Sequence, residues 1–349
     1  MDVSVVEGLR ARYGAAVDAH LNDVIRHPHT DPALQTMLAY QLGFVNADGL
    51  AEGRSGKRFR SALCLCACEH LGSDWRRALP VAAAIELLHN FSLIHDDIED
   101  GDTMRRHRPT VWYVWGEPHG INAGDAMFAL ATRVLLDAPV EDPAKLNLVT
   151  AFQDLSLHLT SGQYLDMSFE DRAEVRPDEY MCMINGKTAA LVAFSLMSGA
   201  QVADASPPTV SALEQFGLAL GRGFQIQDDL LGIWGAADAT GKPAGSDLRN
   251  RKKTLPLLLA WQRADMVGRE ELNQYFARQS DDLDAVMTVL NQTDSRAATV
   301  DAIQATVEEA RMALQAADMS HEGREILFAL ADELTGQRPR KSAGTVANP

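Results

Sequence analysis

The pattern of apolar positions along the chain is helical. Apolar residues, rich in Ala and Leu, recur at three- and four-residue spacing. The segments with this spacing are Leu79–Ile98, Ala123–Asp137, Leu146–Tyr164, Thr188–Val202 and Val210–Ile233. Strand-like alternation between hairpin turns is not evident. Several segments are apolar nearly all round, so we expect them at the centre with other helices outside. The pattern predicts a single all-α domain.

Breaks rich in Gly and Pro separate the predicted helices. They lie at Gly53–Gly56, Gly101–Pro109, Gly116–Gly120, Ala138–Pro143, Ala205–Pro208 and Gly235–Ser246. The residues from Gln337 to Pro349 are small and polar, and we expect a disordered tail there. The helical domain is therefore expected over residues 1–336.

Composition and charge narrow the classes of partner. Of the 349 residues, 46% are hydrophobic, enough for one large core or two modest domains. With 32 Lys and Arg against 48 Asp and Glu, the formal net charge is -16, which disfavours nucleic acid and anionic membranes. The longest apolar run, Thr188 to Ala203, is interrupted by polar residues and is shorter than a spanning helix needs. We expect no nucleic-acid partner and no stable membrane insertion.

The cysteines and the first residues bear on location. Cys64, Cys66 and Cys68 alternate in a way that suits no common zinc spacing, and we expect them to be small buried core residues. No disulfide framework is indicated, and the start of the chain lacks a basic stretch followed by an apolar one. These features favour a cytoplasmic protein.

Two acidic sequences carry the candidate chemistry. Asp96, Asp97 and Asp100 end one apolar helical run, and Asp228 and Asp229 end another. Carboxylates on neighbouring helical turns repel each other, and Mg²⁺, which prefers oxygen ligands and is often shared with phosphates, removes the conflict. Either sequence alone could be a solvated acidic helix end. Two such ends facing each other would hold a metal cluster that suits a diphosphate.

Basic residues lie beside loops around these acidic sequences. Lys187 and Thr188 follow Gly186 and could open a helix, whose backbone N–H groups favour an anion. A solvated charged face would explain any one cluster, but five clusters interleaved with two acidic pairs indicate a function. The clusters are Gly56–Arg60, Arg105–Arg106, Lys187–Thr188, Gly241–Asp247 and Arg251–Thr254.

On these motifs the chain resembles the trans-isoprenyl diphosphate synthases, the group containing farnesyl and geranylgeranyl diphosphate synthases. The matches run in order from Gly56 to Pro256, and the most specific are the first aspartate-rich motif with its trailing arginines and the element Phe224–Asp229. The resemblance implies a bundle of ten or more helices around a central apolar cavity, a homodimer, and three Mg²⁺ ions per active site. The substrates it implies are isopentenyl diphosphate and an allylic diphosphate.

The resemblance also implies roles for particular residues. The metal ligands would be Asp96, Asp97, Asp100, Asp228 and Asp229. The allylic substrate or its diphosphate would contact Arg105, Lys187, Thr188, Gln225, Lys242 and Lys252. Isopentenyl diphosphate would be held by Gly56, Lys57, Arg60, His89 and Arg106. For His89, a satisfied core histidine stays the alternative.

The sequence departs from the family's pattern at four places. Ser55 stands where a second Gly is usual, and Ser61 where Pro is often found. Gly232 replaces the fifth-position Asp of the second acidic motif, and Asn250–Arg251 precedes Lys252 where a Gly is common. Because the leading aspartates are present in both motifs, we interpret these changes as tuning.

Product length is predicted from the helix carrying the first acidic motif. At a rise of about 1.5 Å per residue, Phe91 lies about 7.5 Å below Asp96. A bulky Phe91 beside the small Ser92 resembles the twenty-carbon geranylgeranyl class, although Phe91 could instead face another helix as core. The alternatives are a farnesyl or longer-chain synthase, a class I terpene cyclase, and a non-catalytic synthase subunit.

Overall fold

Helices make up nearly all regular structure in the computed structural model, which describes residues 4–172, 174–235 and 245–337. The helices up to the middle of the chain are α1 (Val5–Ile25), α2 (Pro32–Gln41), α3 (Phe59–His70), α4 (Leu79–Glu99), α5 (Val111–Trp115), α6 (Glu117–Leu135), α7 (Asp142–Glu170), α8 (Pro177–Ile184) and α9 (Ala190–Val202). Those that follow are α10 (Pro207–Trp234), α11 (Ser246–Arg249), α12 (Leu255–Arg263), α13 (Met266–Phe276), α14 (Leu283–Gln292), α15 (Ser295–Gln315) and α16 (His321–Leu334). The prediction of an all-α fold with ten or more helices is confirmed.

Local sequence explains where several helices begin. Before α2, the Asp31 side chain accepts a hydrogen bond from the Ala33 amide at 2.8 Å, and Pro32 occupies the first helical position. Before α13, the Asp265 side chain accepts from the Gly268 amide at 2.9 Å. Both contacts satisfy backbone donors that have no partner within the helix.

Three local predictions need correction. Gly120 lies inside α6, so that break is confined to Gly116. A two-stranded antiparallel hairpin, β1 (Met104–Arg105) and β2 (Arg108–Pro109), occupies a predicted break, because strands of two residues are too short to produce alternation. Lys187 and Thr188 lie in a π-helical turn, Asn185–Ala189, between α8 and α9, and therefore do not open a helix.

The described structure groups into two compact units. Unit 1 falls within Met1–Ser156, Leu191–Glu214 and Ala316–Arg324, and unit 2 within Leu157–Ala190, Gln215–Gln315 and Glu325–Pro349. The prediction of one domain over residues 1–336 stays a prediction.

Within unit 1, α4 packs along α6, and α3 packs on α1 and α4. Small residues allow this approach: a Cβ added to Gly124 of α6 would lie 2.2 Å from Nε2 of His95 on α4. Cys64, Cys66 and Cys68 of α3 are buried, as predicted, whereas Cys182 of α8 is exposed.

Within unit 2, α12 packs on α15 and α8. One apolar cluster joins α8, α10 and α12 through Tyr180, Ile226 and Leu258. A second cluster joins α12, α13 and α14 through Leu257, Tyr275 and Val286. These clusters fix the end of α10, which carries the second acidic pair.

Two helical stretches, Trp75–Glu99 and Pro177–Val202, would be long and apolar enough to cross a membrane by length and composition alone. The apolar run from Thr188 to Ala203 is shorter than a spanning helix, but the continuous helical stretch Pro177–Val202, which holds most of that run, is long enough. Of their most apolar windows, 67% and 61% is buried inside the structure. That burial is typical of core helices.

Candidate active site

The first acidic sequence lies at the C-terminal end of α4, in unit 1. The side chain of Asp97 is 2% exposed and that of Asp96 is 18% exposed, while Asp100 is an exposed residue that ends the helix. Carboxylates at this end of a helix face the negative end of its dipole, so they need a nearby cation.

Arg105 of β1 supplies that cation. Its Nη2 donates to Oδ2 of Asp96 at 3.2 Å, and its Nε donates to Oδ1 of Asp97. Burial raises the pKa of Asp97 to about 6, and the charge of Arg105 opposes this rise. A divalent cation bound here would compete with Arg105 for the same oxygens.

Arg106 follows at the tip of the hairpin, in the left-handed backbone region with φ of 53°. Its guanidinium lies against Gly56, where an added Cβ would be 2.9 Å from Nη1. The missing side chain at Gly56 therefore makes room for Arg106, so two residues assigned to isopentenyl diphosphate by resemblance lie together.

His89 lies on α4, two turns before the aspartates, and is partly buried. Burial and the positive charges of Arg60, Arg106, Arg105 and Arg58, in that order, lower its pKa well below 6.5. The imidazole is therefore neutral at physiological pH. The electrostatic environment of His89 is that of an anion site, which favours the functional interpretation over a satisfied core histidine.

Arg58 and Arg60 have different surroundings. The buried guanidinium of Arg58 pairs with Asp18 at 2.7 Å and with Glu86 at 3.2 Å. Ser61 also donates to Glu86, at 2.9 Å, which gives this departure from Pro a structural role. By contrast, the buried Nε of Arg60 has no hydrogen-bond partner among the described residues. Arg58 is thus structural, and Arg60 retains a donor for a ligand.

The residues predicted to set product length lie on the same helix. The ring of Phe91 packs against the ring of Phe128 on α6, with centroids 5.2 Å apart, and against that of His95 at 4.8 Å. The hydroxyl of Ser92 donates to the carbonyl of His89 at 2.9 Å. Contact with α6 is the alternative that the sequence left open for Phe91, so the length assignment stays a prediction.

The second acidic pair lies within α10, in unit 2, and its two members differ. The helix continues past Asp229 to Trp234, so the prediction that this pair ends the helix is wrong. Asp228 is exposed, whereas Asp229 is buried. Oδ2 of Asp229 accepts from Tyr180 Oη at 2.5 Å and from the Leu255 amide at 3.3 Å, and Oδ1 accepts from Gln225 at 3.1 Å. Burial raises the pKa of Asp229 to about 7, against the effect of these bonds. Asp229 therefore ties α10 to Tyr180 of α8 and to Leu255 of α12, whereas the Asp228 side chain is open to solvent.

The hydrogen bonds continue from Asp229 to the π-helical turn. Thr188 Oγ1 donates to Gln225 Oε1 at 2.9 Å, so one amide links Thr188 to Asp229. Beside it, Lys187 pairs with Asp166 of α7. π-helical turns are frequent at functional sites because they displace side chains from the regular helical positions. Sequence reasoning missed Tyr180 and Asp166, which no motif marks.

Gly232 is explained by Asp247 of α11. A Cβ added to Gly232 would lie 1.9 Å from Oδ2 of Asp247, so the carboxylate occupies the space of a side chain at position 232. An Asp at position 232 would require Asp247 to move. The missing fifth carboxylate of the motif is thus replaced in space by one from a later segment.

The first acidic sequence belongs to unit 1, and the second belongs to unit 2. Across residues 4–172, 174–235 and 245–337, no group of three or more His, Cys, Asp or Glu side chains is placed to hold a metal ion. Lys57 and Lys252 are exposed. Lys242 lies outside the described residues, as do residues 338–349 of the predicted tail.

Comparisons with known proteins agree with the motifs. A family profile described as Polyprenyl synthetase matches residues 50–293. A geranylgeranyl diphosphate synthase of Mycobacterium tuberculosis is 49% identical over 228 residues, 65% of this chain and 65% of that protein. A (2E,6E)-farnesyl diphosphate synthase of the same species is 44% identical over 240 residues, 68% of this chain and 66% of that protein. The matched region therefore spans just under two thirds of the length of these relatives.

A solved structure extends the similarity to most of the chain. The polyprenyl synthetase from Streptomyces coelicolor A3(2) superposes with a TM-score of 0.84 at 36% identity, covering 95% of this chain and 98% of that one.

Proposed function

The chain belongs to the polyprenyl synthetase family, and we propose that it is a magnesium-dependent trans-prenyltransferase. It condenses isopentenyl diphosphate head to tail with an allylic diphosphate, releases diphosphate, and makes geranylgeranyl diphosphate as its main product.

One observation carries the proposal: the hairpin brings Arg105 onto the carboxylates of α4 and Arg106 against Gly56. The positive charges of both arginines and of Arg60 also act on His89. Arg60 in this group has a buried donor without a hydrogen-bond partner among the described residues. Such surroundings favour an anion that is separate from one held by metal at the carboxylates. Two anion sites fit a reaction between two diphosphates, whereas a terpene cyclase needs one.

Each acidic sequence by itself carries ligands of the kind that magnesium prefers. Asp96, Asp97 and Asp228 offer hard carboxylate oxygens, and Asp100 lies one turn beyond Asp96. Asp229 serves as a support because both of its oxygens are engaged within unit 2. When bound, magnesium would supply positive charge to the leaving diphosphate.

The chain's own residues then contribute binding and orientation. Arg105, Lys187 and Lys252 stabilise the negative charge that grows as the allylic carbon–oxygen bond breaks. Lys57 and Arg60 hold isopentenyl diphosphate so that its double bond forms the new carbon–carbon bond with the allylic cation. This leaves the positive charge on C3 of the isopentenyl unit, and loss of a proton from C2 forms the new double bond between C2 and C3. The departed diphosphate is the proposed acceptor of that proton.

The twenty-carbon product is favoured by the similarity to a geranylgeranyl diphosphate synthase at 49% identity, against 44% for a farnesyl diphosphate synthase. The farnesyl product is the second candidate. A non-catalytic subunit is disfavoured because both acidic pairs are present.

We also propose a homodimer in the cytoplasm. Three large apolar side chains on one face of α7 are 42% to 70% exposed: Leu157, Tyr164 and Met167. An apolar patch of this kind suits an interface between identical copies of the chain. The four cysteines are free thiols, which suits a reducing compartment. Light scattering of the wild type and of Leu157→Glu tests the dimer: a monomeric wild type would contradict it.

The test of the reaction measures incorporation of labelled isopentenyl diphosphate with each allylic primer, with magnesium and with a chelator. Asp96→Ala and Asp228→Ala should each lower turnover by about a hundredfold or more while circular dichroism stays helical. Glu99→Ala, at an exposed acid of the same helix as Asp96, is the control and should keep wild-type turnover. Near-normal turnover in either aspartate variant, or full activity in the chelator, would overturn the proposal.

A further inference from the structure

Lys252 lies between two basic residues that are anchored inside unit 2. Lys252 itself is exposed, whereas Arg251 has 12% of its side chain exposed and Lys253 is 9% exposed. Three consecutive cations in one loop would normally all extend into solvent, since long charged side chains are rarely buried. The burial of Arg251 and Lys253 therefore needs a reason.

The backbone at Arg251 gives the first part of that reason. Its φ is 53°, in the left-handed region that a residue other than Gly adopts only with backbone strain. Gly is common at this place in the family that the chain resembles, and Gly adopts this conformation without strain. The backbone is therefore strained at Arg251, and its side chain must make stabilising contacts that Gly cannot make.

The guanidinium of Arg251 provides an anchor. It donates to the carbonyl of Ser280 at 2.9 Å and to that of Tyr275, pairs with Asp281, and lies 4.8 Å from the centroid of the Tyr275 ring. Since Asp281 is 96% exposed, that ion pair contributes little, and the carbonyls and the ring supply most of the attachment. Arg251 is thereby fastened to the end of α13.

Lys253 is anchored elsewhere in the same unit. Its ammonium donates to the backbone carbonyls of Glu170, at 3.3 Å, and of Phe169 and Arg172. These carbonyls lie at the C-terminal end of α7, where helical carbonyls lack partners and the dipole favours a cation. The two neighbours of Lys252 are therefore attached to different helices.

The backbone of Lys252 is also fixed. Its amide donates to the carbonyl of Asp247 at 3.0 Å, and its carbonyl accepts from the amide of Thr254 at 2.9 Å. We infer that Arg251 and Lys253 are positioning residues that hold Lys252 in the orientation in which its ammonium meets the allylic diphosphate. This inference rests on the proposed function, and it explains why Arg251 replaces a Gly.

The variants separate positioning from stability. Arg251→Gly relieves the left-handed strain and removes both the anchor and its positive charge. Arg251→Lys separates the two, because it keeps the charge but not the planar guanidinium. Arg278→Gly is the matched control, because Arg278 is an exposed arginine of unit 2 whose φ is 57°. Lys253→Met removes the second anchor but keeps an apolar stem.

The measurements are steady-state constants for both substrates and amide hydrogen exchange over residues 246–254. Arg251→Gly and Lys253→Met should each lower kcat about tenfold, with the KM for isopentenyl diphosphate within about twofold of wild type. Arg251→Lys should be intermediate and Arg278→Gly unchanged. Exchange at the Lys252 amide should be at least about tenfold faster in Arg251→Gly.

A double-mutant cycle with Lys252→Ala decides whether Arg251 acts through Lys252. In that background, Arg251→Gly should lower kcat no further. A further tenfold loss there, or unchanged kcat and exchange in Arg251→Gly alone, would overturn the inference. Full activity of Lys252→Ala alone would instead refute the role given to Lys252 in the proposed reaction, and the exchange data would still decide whether Arg251 anchors the loop.

Discussion

Replacing Asp229 by Asn tests whether burial within unit 2 disfavours the ionised form of the Asp229 carboxyl. Its Oδ2 accepts from Tyr180 and from the Leu255 amide, and an amide oxygen in the same place can accept both bonds. The new amide nitrogen would face Nε2 of Gln225, now 3.1 Å from Oδ1, and a flip of the Gln225 amide restores a donor–acceptor pair. Asp229→Asn therefore keeps the shape and removes the charge.

The expected magnitude follows from the pKa of Asp229, which burial raises from 3.8 to about 7. Below pH 3.8 the carboxyl is protonated in both the folded and the unfolded chain. As the pH rises to about 7, the unfolded chain loses this proton first, so the free energy of unfolding falls by about 4 kcal/mol in total. Above that pH both states are ionised and the loss levels off. Asn does not titrate and escapes this loss.

Urea unfolding at pH 5 and pH 8 in magnesium-free buffer measures the effect. Between these values the free energy of unfolding of Asp229→Asn should gain about 3 kcal/mol relative to that of wild type. Asp228→Asn, at the exposed neighbour, controls for the loss of one charge from α10. Parallel pH profiles for Asp229→Asn and wild type would refute the claim that Asp229 is held in a desolvated position.

Three further predictions follow from unit 1. Lys57→Ala should raise the KM for isopentenyl diphosphate about tenfold and leave the KM for the allylic substrate nearly unchanged. Arg54→Ala, at a nearby exposed arginine, is the control. An equal rise in both constants would contradict the assignment of Lys57 to the isopentenyl diphosphate site. Phe91→Ala should lengthen the product in chromatography of the dephosphorylated chains, and an unchanged length would leave Phe91 as core contact with α6. Glu86→Gln weakens the pairing of the buried Arg58 and should cost about 3 kcal/mol in urea unfolding, and a loss below about 1 kcal/mol would show that the pair contributes little.

Periodicity was sufficient to predict the long helices, because burial of one helix face determines it, and it placed the first acidic sequence correctly at the end of α4. The second acidic pair does not end its helix, which continues to Trp234. Periodicity also could not distinguish Asp228 from Asp229. The two residues are adjacent and chemically identical, and the difference comes from Tyr180, 49 residues earlier in the chain, whose hydroxyl reaches Asp229. Contacts of that range leave no trace in local spacing.

Local conformation was the other source of error. The π-helical turn around Lys187 and the left-handed backbone of Arg251 depend on neighbours that pack against them, so composition predicted a helix start at the first and an unexplained departure at the second. From the sequence, Gly232 removed the fifth carboxylate of the second acidic motif. In the structure, the Asp247 carboxylate occupies the space of the missing side chain.

Mass spectrometry of the intact product tests the central claim most directly. The full chain is incubated with magnesium, isopentenyl diphosphate carrying a ¹³C label, and unlabelled dimethylallyl diphosphate, and the product is analysed without dephosphorylation. The account predicts a twenty-carbon diphosphate that contains three labelled five-carbon units and one unlabelled unit. A cyclic hydrocarbon without diphosphate, or no incorporation of the label, would contradict it.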